Sequence, residues 1–142
     1  MKNLLLLLST FLLLACSEQK ETNKAAQMHW DRDMCARCVM VISDRKNSVQ
    51  VQDVANKKVY KFDDFGCMAI WAKDENIDMS KNYNVWVTDV TSGDWIDAKK
   101  AIYTAGNTTP MDYGYSAYKS ESELKNKQQT FSFDEVFNLI TK

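Results

Sequence analysis

The stretch that decides the fold is residues 47–67, which read NSVQVQDVANKKVYKFDDFGC. Within it Val49 and Val51 alternate with polar residues, which is the period-two pattern of a strand with one buried face. The polar residues 56–58 separate this run from a second short run, Val59–Phe62. Two such runs joined by a polar turn predict a β-hairpin.

A helix is predicted directly after the hairpin. Asp63 and Asp64 are of the residue type that caps a helix N-terminus. Asn76 lies near the predicted end of the helix. Between these points apolar residues recur at helical spacing, namely Phe65, Met68, Ala69 and Ala72. The chain is therefore expected to run strand, strand, helix.

The second half of the chain is predicted to repeat this order more loosely. Tyr83–Val90 alternates again, and a Ser-Gly-Asp turn at residues 92–94 leads into a short run at residues 95–96, so two strands are expected. Residues 98–105 fit either a short helix or an irregular crossing. Tyr113–Tyr118 predicts a further strand.

Two capping boxes predict helices towards the C-terminus. Ser120 with Glu123 predicts a polar helix that ends near Lys127, and Ser132 with Glu135 predicts an amphipathic one.

Together these patterns predict an α+β fold, with two similar ββα(β) units packed side by side in one small domain. The first unit is expected over Asn47–Lys73 and the second over Tyr83–Lys127. Without its N-terminal segment the chain has the size of one ordinary domain. A single core is therefore expected.

The N-terminal residues have the pattern of a lipoprotein signal peptide. Lys2 supplies a positive charge, and Leu4–Leu14 is an apolar run that is shorter than the about 20 residues needed to span a bilayer. It ends in LLAC at residues 13–16, which resembles the lipobox of bacterial lipoproteins. We therefore predict that residues 1–15 are removed and that lipid on Cys16 is the only membrane anchor.

Residues 16–27 are polar and predict a flexible tether, with the folded domain at residues 28–142. Ser17 follows the lipidated cysteine in place of the aspartate that retains lipoproteins at the inner membrane. The expected location is therefore extracytoplasmic, on the periplasmic side, at the outer membrane. The 18 Lys and Arg against 19 Asp and Glu make the chain nearly neutral, so composition does not favour nucleic acid as a partner.

Sulfur donors are concentrated in residues 29–40, which read HWDRDMCARCVM. Thiolates and thioethers select soft ions, above all Cu(I). In an extended segment Cys38 and Met40 point to the same side, because the side-chain period is two. The sequence therefore predicts that this pair binds one Cu(I) ion.

Other interpretations of these residues stay open at this stage. Cys35 and Cys38 are close enough in sequence for a disulfide, either structural or redox-active. A zinc site would add His29 and Cys67, which are secondary ligand candidates. Cys67 is more simply a core residue, although a helix dipole at its position would lower the pKa of its thiol. Met34 is interpreted as core filler.

Several blocks of the chain resemble, in order, those of the nitrous oxide reductase accessory protein family, NosL. The early blocks are C-x-x-C-x-M at residues 35–40 with the following Val-Ile, and FDDFGC at residues 62–67, opening a helix that contains Trp71. The later blocks are GDWIDA at 93–98, AIY at 101–103, TPMDYGY at 109–115 and AY at 117–118. The resemblance extends from about Asp33 to Tyr118.

This resemblance implies a copper chaperone that is anchored by lipid and carries Cu(I) to the copper-sulfide centre of nitrous oxide reductase. The implied partners are that enzyme and copper-loading proteins. The family's metal motif falls on Cys38 and Met40, its later block adds Met111, and Cys35 is a further candidate. The family usually has glycine where this chain has Val39 and Asp112, which leaves open a relative that serves another copper enzyme.

The expected role is that of a binding protein and not of an enzyme. The sequence resembles no catalytic triad, phosphate-binding loop or pair of catalytic carboxylates. Two other classes remain as alternatives: a thiol-disulfide oxidoreductase that uses Cys35 and Cys38, and a structural lipoprotein in which the same pair forms a disulfide.

Overall fold

The computed structural model describes residues 24–126 and 128–142, and within these residues it has two antiparallel sheets and two α-helices. The strands are β1 (Val49–Asp53), β2 (Val59–Phe62), β3 (Tyr83–Thr88), β4 (Trp95–Asp97), β5 (Ile102–Thr104), β6 (Ser116–Tyr118) and β7 (Thr130–Phe131). The helices are α1 (Phe65–Asp74) and α2 (Phe133–Thr141). The predicted α+β class is confirmed.

The first sheet has the strand order β2-β1-β3-β4. Its central strands pair Val51 with Val85 and Val49 with Val87, and all four side chains are buried. One face of strand β1 therefore packs against the core, as the alternation of residues 49–53 predicts. Helix α1 follows β2 and contacts both strands of the hairpin, as predicted.

The second sheet has the order β6-β5-β7, and α2 packs against both β5 and α1. The two sheets meet at a bridge between Asp89 and Ala117. The division into halves differs from the prediction, because β3 and β4 complete the first sheet and do not begin a second unit. The second sheet-and-helix half instead starts at Ile102.

Two predictions of local structure in the second half are corrected. Residues 98–105 contain strand β5 and no helix. The predicted helix after Ser120 is only a 3₁₀ turn, Glu121–Glu123, because the Ser120 side chain makes no cap hydrogen bond. The second capping box is confirmed, since Ser132 and Glu135 bond reciprocally at the start of α2.

The N-terminal end of the described chain lies on the first sheet. Ala26 exchanges two hydrogen bonds of 2.9 Å with the side chain of Gln50, and the Gln52 amide donates to the Lys24 carbonyl at 2.8 Å. The last residues of the predicted tether are thus held by β1. The predicted signal peptide, Cys16 and the rest of the tether lie outside the described residues. None of the described helices is long and apolar enough to cross a membrane.

Candidate metal centre

Four potential ligand atoms converge beside the N-terminus of α1, all within 4.8 Å of one another. We call this group the four-donor pocket, and it is formed by Cys35, Cys38, Asp63 and Cys67. Three of the four residues are buried, while Cys38 is only half-buried. All three cysteines of the described chain are free thiols. The pocket therefore meets solvent on the Cys38 side.

A tight turn brings the first two thiols to the pocket. The Cys35 N–H donates to the Met40 carbonyl at 2.8 Å, and the Val39 N–H donates to the Cys35 carbonyl at 3.1 Å. Between them Val39 has a φ of 61°, in the left-handed region. Because the chain reverses there, the prediction that Cys38 and Met40 point to the same side of an extended segment is wrong.

Backbone N–H groups of the turn surround the sulfur atoms. The Cys35 sulfur accepts hydrogen bonds from the backbone of Arg37, Cys38 and Asp63, and the Cys38 sulfur accepts one from Met40. Hydrogen bonds to the charged form stabilise a thiolate. The turn therefore provides sites for thiolates before any metal arrives.

The two adjacent aspartates at the start of α1 have different roles. Asp64 is the N-cap, since one of its oxygens accepts from the Gly66 N–H at 2.9 Å. Its other oxygen accepts from the Met111 N–H at 3.0 Å. Asp63 is thereby left free to face the thiols, and its carboxylate lies 3.5 Å and 3.7 Å from the Cys38 sulfur.

Sequence reasoning assigned both aspartates to capping and missed Asp63 as a site residue. The signal lies in the spacing, because Asp63 lies just before the N-cap of α1 and precedes Cys67, in the first turn, by four residues. Asp63 and Cys67 form a second closely spaced pair of potential ligands, beside Cys35 and Cys38.

The charges in the pocket are strongly coupled. The hydrogen bond from Cys67 lowers the pKa of the Cys35 thiol to about 4. Burial, together with that thiolate, raises the pKa of Cys38 to about 11. The same hydrogen bond and burial raise the pKa of Cys67 far above its ordinary value, so the expected lowering by the helix dipole does not prevail. At neutral pH the metal-free pocket holds one thiolate, and a metal ion must displace the remaining thiol protons.

The remaining residues predicted from the sequence differ in burial and in their relation to this pocket. Cys67 is fully buried, as the core interpretation predicts, and its sulfur is also one of the four donors. His29 is half exposed, faces the Asp33 carboxylate at 3.7 Å and is not a member of the four-donor group. Met40 is 53% exposed at the rim. Met34 is 47% exposed, so its interpretation as core filler is wrong.

Met111 lies on a loop against α1. The Asp112 N–H donates to the Thr109 carbonyl at 3.1 Å, which closes a turn around Met111. The ring of Tyr113 packs directly on Gly66, where an added Cβ would lie 2.0 Å from a ring carbon. The side chain of Met111 is half-buried against the core. The loop thus rests on the helical turn that carries Cys67.

The two departures from the family's glycines fall where the backbone favours glycine. Val39 has a φ of 61° and Asp112 a φ of 59°. Glycine adopts such values without strain, whereas other residues do so at a cost. At these two positions the residue types differ from the family's glycine, but the backbone conformation is one that glycine adopts without strain.

The donor set determines which ions the pocket suits. Three thiolates are soft ligands that favour Cu(I), which is stable with two or three of them. Three thiolates with a carboxylate also satisfy the tetrahedral preference of zinc. Both ions are therefore chemically admissible, and competition between them is the informative measurement.

The chain is similar in fold to a known copper chaperone. No protein-family model matches the chain, and no curated protein matches it. The fold is similar to the crystal structure of the copper chaperone NosL from Shewanella denitrificans, with a TM-score of 0.65 and 18% sequence identity. The match covers 79% of this chain and 95% of that one. The chain therefore has the fold of the copper chaperone NosL.

Proposed function

We propose that this chain is a copper chaperone that binds Cu(I) through the sulfur atoms of the four-donor pocket. The observation that carries the proposal is the convergence of three free thiols within 4.8 Å, one of them open to solvent. The likeness of the fold to a copper chaperone supports it. A carrier of this kind performs no catalytic turnover.

Binding and release are both possible chemically because the site is closed on one side only. Cys35 and Cys67 are buried, so bulk water and most competing ligands reach the ion only past Cys38. Cu(I) accepts two or three donors, which leaves a position for a ligand of the acceptor. Transfer then proceeds by ligand exchange at the Cys38 side.

Exposed hydrophobic residues are concentrated near that opening in the sequence. Four exposed hydrophobic residues surround the two thiols in the sequence, namely Met34, Val39, Met40 and Val41. An acceptor that donates a ligand to the ion must lie against this surface. Its apolar character favours contact with a protein over continued exposure to water.

The acceptor proposed is nitrous oxide reductase, because the sequence blocks resemble the family that serves that enzyme. Another extracytoplasmic copper enzyme is the alternative, and copper-loading proteins would supply the ion. The lipobox-like residues 13–16 support attachment through lipid on Cys16, on the periplasmic side and at the outer membrane. A tether of about ten residues would let the domain reach its partners.

A competition titration of the purified, reduced chain tests the proposal. We expect Cu(I) to bind much more tightly than Zn²⁺. Cys38→Ser should weaken Cu(I) binding by at least about 100-fold, since even the loss of a ligand's hydrogen-bond partner costs up to that much. Met40→Ala removes a neutral rim donor and should weaken it less. Equal Cu(I) affinity of the wild type and Cys38→Ser would place the site elsewhere.

Met111 is expected to be an additional sulfur donor. If it is, Met111→Ala should weaken copper binding and change the X-ray absorption spectrum of bound copper, with little change in the stability of the metal-free chain. If Met111 is only core filler, the truncation should instead cost about 2–5 kcal/mol of stability. A large loss of stability with an unchanged copper spectrum would remove Met111 from the site.

A further inference from the structure

Val39 is the most unfavourable residue for the conformation that it adopts. Among the described residues, six that are not glycine have a positive φ, and they are Asp31, Val39, Lys57, Asn76, Asn82 and Asp112. Four of the six are Asn or Asp, which tolerate the left-handed region, and Val39 alone is β-branched. A β-branched residue there is a genuine outlier.

Packing does not offset this strain. The Val39 side chain is 66% exposed, the highest exposure among the large hydrophobic residues of the described chain that reach the surface. A solvated valine gains little from burial. The strain is therefore offset by the interactions that hold the Cys35–Met40 turn closed.

Hydrogen bonds hold the turn closed, and an ion bound by both thiols would add to them. The bonds are those between Cys35 and Met40 and between Val39 and Cys35, at 2.8 Å and 3.1 Å. They flank Val39 on both sides, so relaxation of its backbone breaks them and swings Cys38 away from Cys35. An ion bound by both thiols would oppose that opening. The strain at Val39 favours the opening and so weakens the binding of the ion.

We propose that Val39 is a positioning residue that sets how tightly the four-donor pocket holds its ion, by strain that favours opening of the Cys35–Met40 turn. The inference rests on the proposed function in that the ion is cargo and must leave. When the metal-competent turn is only partly populated, the apparent dissociation constant rises in proportion. The same opening carries Cys38 outward, towards an incoming ligand.

The test is a series of variants of the full chain, with Cu(I) and Zn²⁺ as separate probes. Val39→Gly removes the strain, and Val39→Asn reduces it with a residue suited to the left-handed region. Lys57→Gly is the matched control, since Lys57 has the same φ of 61° in the β1–β2 turn, away from the pocket. For each variant the dissociation constant, the rate of ion transfer to a chelator and the metal-free thermal stability are measured.

Val39→Gly is expected to bind the ion about tenfold more tightly, which corresponds to about 1.4 kcal/mol. Its transfer to the chelator should be slower by a similar factor. Val39→Asn should lie between it and the wild type, and Lys57→Gly should match the wild type. The metal-free stability of Val39→Gly should change less than its metal affinity, because on this proposal opening of the turn relieves the strain when no ion is bound.

Unchanged affinity and release in both Val39 variants would overturn the inference, whatever happens to stability. A gain in metal-free stability without a gain in metal affinity would also overturn the inference, because the strain would then be the same before and after the ion binds. Should the wild type bind Zn²⁺ but not Cu(I), the proposed function fails, while the graded Zn²⁺ series still decides the role of Val39. Should it bind neither ion, both fail.

Discussion

Gly66→Ala is expected to destabilise the domain and to displace the loop that carries Met111. An added Cβ would lie 2.0–2.3 Å from three carbons of the Tyr113 ring, which is far inside van der Waals contact. One of these is the ring carbon nearest the backbone, so a flip of the ring about the Cβ–Cγ bond does not relieve the clash. Overpacking of this kind costs about 1–3 kcal/mol and sometimes more. The better helix propensity of alanine returns only about 1 kcal/mol.

Thermal unfolding of the metal-free chain measures this effect, with an expected fall in Tm of up to roughly 10 °C. A double-mutant cycle with Tyr113→Ala is the control. If the ring causes the clash, alanine at residue 66 should be tolerated once the ring is removed, and the two effects should not add. Additive effects would show that Gly66 matters for another reason, such as its own backbone.

Cys35→Ser is expected to abolish tight copper binding. Cys35 carries the thiolate of the metal-free pocket, and three backbone N–H groups point at its sulfur. Serine offers a neutral, hard oxygen in its place, which Cu(I) binds poorly. The Cu(I) affinity should fall by at least about 100-fold, more than for removal of the neutral donor Met40.

The matched control is Cys16→Ser, the same substitution at a cysteine assigned to lipid attachment. It should leave the copper affinity of the purified chain unchanged and prevent lipidation and processing in cells. Equal loss of copper binding in the two variants would mean that Cys16 belongs to the metal site. A cleaved, membrane-bound product from Cys16→Ser would contradict the lipoprotein assignment.

The parts of the fold that were predictable are those with local signals. The β1–β2 hairpin follows from an alternation that includes Val49 and Val51, and helix α2 follows from the capping box of Ser132 and Glu135. Strands β5 and β6 have three residues each, and of the two only β6 lies within a predicted strand, at Tyr113–Tyr118. Their pairing is decided by tertiary contacts.

The site was predictable in its residue types and not in its arrangement. Asp63 and Asp64 are equivalent by local propensity, and the structure distinguishes them because Asp64 accepts the capping bond from Gly66 and a second bond from Met111, 47 residues away. The turn at Val39 was hidden for a similar reason. Valine favours extended backbone, and the left-handed conformation becomes evident only from the bonds that close the turn.

X-ray absorption spectroscopy at the copper edge of the copper-loaded chain tests the central claim most directly. Copper should be present as Cu(I) with sulfur atoms alone as nearest neighbours, because the three thiols are the soft donors of the pocket and the Asp63 carboxylate is a hard one. The same spectrum for Cys35→Ser should show fewer sulfur neighbours. A wild-type spectrum dominated by oxygen or nitrogen neighbours, or one that Cys35→Ser leaves unchanged, would contradict the assignment of this pocket as the copper site.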